Sequence, residues 1–109
     1  MKIYAGTVMI WPAFGSPPGW MACDGTVLQR SQYPALWNVL SNKYGGDGRT
    51  TFALPDLRGR APIGMGQGPG FDHVMIGQQG NLSTHGSYQK GTLGLNYCIA
   101  LYGNFPTRS

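Results

Sequence analysis

Few side chains in this 109-residue sequence have chemistry to offer, and their spacing decides what that chemistry is. The acids are Asp24, Asp47, Asp56 and Asp72, and there is no glutamate. Asp24 and Asp47 each precede a glycine, Gly25 and Gly48, where a carboxylate bonds its own turn backbone. Asp56 follows Pro55 and lies close in sequence to Arg58, Gly59 and Arg60. That setting suits a structural Asp–Arg bridge better than a general acid–base pair. Asp47, Asp56, Arg49, Arg58 and Arg60 are therefore expected to pair and hold loops. The structural turn and loop residues read from spacing are Asp24, Gly25, Asp47, Gly48, Arg49, Pro55, Asp56, Arg58, Gly59 and Arg60. No catalytic residue is expected.

Other chemistries fare no better. Cys23 with His73 or His85 would supply a nucleophile and a base, but no motif positions them. Two cysteines in apolar surroundings read as buried free thiols, with one disulfide as the open alternative. Two isolated histidines make a poor metal site, because zinc takes three or four protein ligands. His85 would reach that number only by supplying one ligand per chain on a threefold axis, and no metal or cofactor is expected. Gly64, Gly66, Gly68 and Gly70 alternate strictly, out of register with the dinucleotide fingerprint, and no helix signal follows. No serine sits in a hydrolase elbow.

Composition bounds the partners. Only 11% of residues are charged, against about 25% in typical domains. A surface so poor in charge is expected to be buried in part against other chains. The net charge of +4 is spread along the sequence with no basic run, which argues against nucleic acid. The N-terminal apolar run is broken by Pro12 and makes a weak signal peptide. No window approaches the ~20 apolar residues of a membrane span, so no membrane insertion is expected. The length fits one domain over 1–109.

The elements that must position these residues are mostly short strands. Residues 3–11, IYAGTVMIW, read as a strand bulged at Gly6. Apolar residues on both sides of Asp24-Gly25 signal a tight hairpin. Residues 31–42 carry the one helical stripe, Leu36, Val39 and Leu40, widened by Tyr33 and Trp37. A helix is predicted over about 32–43, capped by Ser31, with Pro34 in its first turn and Gly45 or Gly46 as a left-handed cap. Short strands fit TTFALP and APIGM, and a final strand fits LNYCIALYG, buried on at least one face. Residues 77–94 are polar and glycine-spaced, and Tyr88 is their exposed aromatic. The other tyrosines and tryptophans read as core or interface. The fold class is α+β, mostly β and irregular, with one short helix, glycine-rich loops and a C-terminal strand.

Three segments, PPGWMACDG, YGGDGRTTFALPDLRGR and NYCIALYGNFP, resemble the phage tail collar domain family, which includes short tail fibres and the microcystin-dependent-protein-like tail proteins. The resemblance covers residues 1–80 and 93–109. It implies a compact collar-type domain, an intertwined homotrimer, and a non-enzymatic part of a phage tail or extracellular phage-tail-like particle, assembled in the bacterial cytoplasm. Some members carry a His-x-His element on a long threaded hairpin, where three chains hold an axial metal. Here the insert has shrunk to about 78–92, and Ser87 stands where the second histidine would follow His85. The resemblance then implies a tail-fibre or baseplate-tip protein attaching to the bacterial surface, beside other fibre or baseplate proteins. His85, Tyr88 and Lys90 are the receptor-facing residues expected, with Lys90 meeting surface polysaccharide or lipopolysaccharide. A purely structural adaptor is the alternative. A polysaccharide-degrading tailspike is disfavoured by the lack of a carboxylate pair.

Overall fold

The computed structural model describes residues 3–80 and 92–103. Six short elements carry the fold: β1 (Val8–Trp11), β2 (Trp20–Ala22), β3 (Val27–Gln29), α1 (Pro34–Leu40), β4 (Thr51–Ala53) and β5 (Asn96–Ala100). The fold is mostly strand and loop with one short helix, as the sequence predicts.

β5 is the centre of a three-stranded antiparallel sheet, between β1 and β2. Its apolar run explains the position. Cys98, Ile99 and Ala100 are all buried, which only a strand covered on both faces allows. Val8 pairs with Ile99 and Met21 also pairs with Ile99, so both ends of the sequence are needed to build this sheet. Ile99 and Leu101 turn one face of β5 toward the main core. The other face is covered by the proline- and glycine-rich loop 12–19. There Asn96 Nδ2 donates to the carbonyls of Ala13 and Gly15 at 2.9 and 3.2 Å. Leu101 N–H donates to Gly19 at 2.9 Å.

β3 and β4 form a separate two-stranded antiparallel ladder, with Leu28 opposite Phe52. Here the structure departs from the hairpin expected at Asp24-Gly25. β2 and β3 flank that turn but join different sheets, so the turn is a corner between sheets. A tight turn fixes the direction of the backbone, but strand pairing is settled by where each apolar face finds cover. Gly25 has φ of 82°, a conformation glycine adopts without strain.

α1 is shorter than predicted, at seven residues. Ser31 does not cap it: Tyr33 holds the N-cap position without a side-chain bond, and Pro34 takes the first turn. The helix stops at Ser41, whose φ is 53° and whose N–H donates to Trp37 O at 2.7 Å. The glycines at 45 and 46 come too late to be its cap. Gly46 has another duty: a Cβ there would stand 2.5 Å from Phe52 Cα, so the loop can pass β4 only as glycine. APIGM forms no strand, and its nearest pairing is a lone bridge between Gly66 and Val74.

The core gathers Leu36 and Leu40 from α1, Leu28, Phe52 and Leu54 from the ladder, and Cys23, Ile99 and Leu101 from the sheet region. Trp37 meets Phe52 edge-on at 5.7 Å between ring centres. Tyr33, Tyr44 and Tyr97 pack around this cluster.

Candidate functional site

The charged loop residues fall into three local devices. At the sheet corner, Asp24 Oδ1 accepts from the N–H and hydroxyl of Thr26. In the loop before β4, Asp47 Oδ1 accepts the N–H groups of Arg49, Thr50 and Thr51 at 2.8 to 3.0 Å, and Oδ2 accepts the Thr50 hydroxyl. Those backbone donors, Thr51 first, hold the carboxyl of Asp47 well below the usual carboxylate range. Within the chain, Asp47 is thus bound by the backbone of its own loop and not by an arginine side chain. The expectation that it joins an aspartate–arginine network is corrected here. Gly48, with φ of 76°, makes the turn that aims three N–H groups at one oxygen.

The third device is an Asp–Arg clasp. Arg58 approaches Asp56 side-on and donates from Nε and Nη2 to its two oxygens at 2.9 and 2.8 Å. Arg60 donates from Nη1 to the Asp56 carbonyl at 2.8 Å. The Arg58 bond is the main reason the Asp56 carboxyl lies well below the usual range, and it raises the Arg58 guanidinium in turn. Asp56 also bridges to Asp24 through the backbone, and Leu57 N–H donates to Cys23 O at 2.9 Å. The clasp therefore pins residues 54–60 against the corner. Pro55 and Gly59 complete the bend, Gly59 with φ of 67°.

Beyond the clasp, residues 61–80 run out as an arm. Within it only Gly66 and Val74 are partly covered, and every other residue is exposed. Gly66 and Val74 exchange two backbone hydrogen bonds, of 2.7 and 2.9 Å. Arg60 Nη2 donates to Gln79 Oε1 at 3.3 Å across the base. The arm is closed on itself yet carries Ile63, Met65, Phe71, Met75 and Ile76 at 52% to 74% exposure. Edge strand β1 adds Val8 and Ile10 to the exposed apolar surface. The sequence predicts a short strand at APIGM, but no strand forms there and Ile63 and Met65 stand exposed on the arm. Their spacing in the run IGMGQGPGF was the available signal.

Among the described residues, neither cysteine stands beside a histidine. Cys23 is buried, and burial, with the nearby Cys98 and Asp24, pushes its thiol up to about 12. Burial raises the Cys98 thiol as well. Both cysteines are free. His73 is exposed on the arm, away from the core that holds Cys23. Among the described residues, no three metal-ligating side chains cluster, and no helix is long and apolar enough to cross a membrane. His85, Tyr88 and Lys90 lie outside the described residues, as does most of the shortened insert around them.

Residues 6–62 match the model of the phage tail collar domain family, more than half of the chain. The match ends at the base of the arm. The chain is also 33% identical over 67 residues to the uncharacterized protein StfE of Escherichia coli (strain K12), covering 62% of this chain. The chain spans about a third of the length of that relative.

Proposed function

The chain belongs to the phage tail collar family, a family of structural tail-fibre domains, and from that premise we propose that it is a structural and adhesive part of a phage tail or phage-derived injection particle. It works there as a homotrimer at a fibre or baseplate tip and attaches the particle to the bacterial surface. The family match over residues 6–62 carries this reading.

Two physical features support self-association. A domain of this size has a thin core and gains from burial between chains. The five large apolar residues of the arm are each more than half exposed, the kind of apolar surface that marks an association site. Three copies also turn weak surface contacts into firm attachment through effective concentration. The segment holding His85, Tyr88 and Lys90 follows the arm in sequence and is the proposed receptor-facing segment.

The test is binding of the purified chain to intact host cells, with competition against particle adsorption. Saturable binding that slows adsorption is expected. A trimer that binds no cell would instead be a structural adaptor between tail proteins.

A further inference from the structure

We propose that Arg30 and Arg49 form a receiving site for an anionic group, a phosphate monoester or carboxylate carried on a sugar. The two arginines are 19 residues apart in sequence, and the β3–β4 ladder brings them together. Gln29 pairs with Thr51, and the N–H of Arg30 donates to Thr50 O at 2.8 Å, so both arginines stand at the same end of the ladder. They line one hollow of about 370 Å³, with Gln29, Ser31, Pro34 and Thr50.

The Arg30 side chain is held in place. Its guanidinium lies 4.6 Å over the Trp37 ring, and Trp37 is itself wedged edge-on against the buried Phe52. Arg30 Nη1 also donates to the carbonyl of Arg49 at 3.3 Å. The stacking and this bond engage one face and one nitrogen of the guanidinium, and its other N–H groups make no side-chain hydrogen bond among the described residues.

Among the described residues, no ion pair neutralises either guanidinium: the ion pairs both belong to Asp56, with Arg58 and Arg60. Asp47, the acid nearest Arg49 in sequence, spends its carboxylate on its own loop, and Asp24, the acid nearest Arg30, accepts from Thr26. Two cationic side chains line one hollow, and one of them is stacked in place. A planar fork matches carboxylate and phosphate oxygens two at a time, and Ser31 supplies a further hydroxyl donor.

That the anion comes from a cell-surface saccharide rests on the attachment reading above. The experiment is an NMR titration of the full chain with glucose 6-phosphate, inorganic phosphate and glucose. The expected result is saturable shifts at the Trp37 indole and the Arg30 Nε–H with glucose 6-phosphate, at a Kd on the order of millimolar, and none with glucose. Equal affinity for inorganic phosphate would assign the site to the phosphate alone. Tighter binding of the sugar phosphate would assign it to the phosphosugar, and both support the site. R30Q and R49Q should each weaken binding about tenfold, and R30K and R49K should weaken it too, because lysine lacks the fork. K43Q should leave it unchanged. No shift at Trp37 or Arg30 in the unmutated chain would overturn the proposal, and so would full affinity in the lysine variants. Phosphosugar binding without cell binding would keep the site and remove the attachment reading, and the reverse would do the opposite.

Discussion

Arg58 grips Asp56 through two parallel hydrogen bonds, Nε to Oδ1 at 2.9 Å and Nη2 to Oδ2 at 2.8 Å. The pair closes the turn that leads from the core into the arm. Its geometry matters more than its charge, since an exposed ion pair alone contributes little. An arginine-to-lysine change at 58 would keep the charge and lose the second bond.

The first prediction concerns acid. The carboxyl of Asp56 is depressed in the folded chain, chiefly by the Arg58 hydrogen bond. A depressed carboxylate stabilises the fold fully above its unfolded pKa, about 3.9, and loses that contribution as pH falls through the folded value. D56N should therefore melt below the unmutated chain at neutral pH, with the gap closing as pH drops below about 4. Thermal unfolding across pH checks this, and a gap that widens in acid would contradict it.

The second prediction contrasts two glycines, Gly46 and Gly64. A Cβ at Gly46 would meet the backbone of Phe52, at a φ of 87°. At Gly64 a Cβ would meet nothing within 4 Å. G46A should cost about 1–3 kcal/mol or more, and G64A should stay within about 0.5 kcal/mol of the parent. Chemical denaturation measures both.

The third prediction is chemical inertness of the thiols. Tyr97 O accepts the N–H of Cys23, while Ala22 is the residue opposite Cys98. Adjacent strand positions point to opposite faces, so the two sulfurs are turned away from each other. Cys23 packs in the main core, and Cys98 Sγ faces the Gly15 carbonyl at 3.8 Å. Alkylation at pH 8 should label neither cysteine until denaturant is added, and mass spectrometry should find no disulfide in air-oxidised protein.

The sequence made some of these features readable and hid others for physical reasons. The apolar run around Ile99 announced a buried strand, and Leu36 and Leu40 announced a helix, because both signals are local periodicities. The partners of those elements were hidden. Asp24-Gly25 has the same turn chemistry whether its flanks pair with each other or, as here, with β5 and β4 separately. Asp47 looked like a partner for arginine because spacing shows only which charges are close, whereas the loop backbone offered it three N–H groups. Arg30 gave no signal at all, since its neighbourhood is made by the register Gln29 to Thr51. The apolar side chains of the arm were visible and APIGM read as a short strand, but whether such a run pairs is not a local property of the sequence.

The central claim is that three copies of this chain assemble through apolar surface that one copy leaves in water. Native mass spectrometry of the full chain at micromolar concentration tests it most directly. The expected result is a particle of three 11.8 kDa chains, falling to single chains in a Phe71→Asp, Ile76→Asp double variant. A single chain as the main species of the unmutated protein would contradict it.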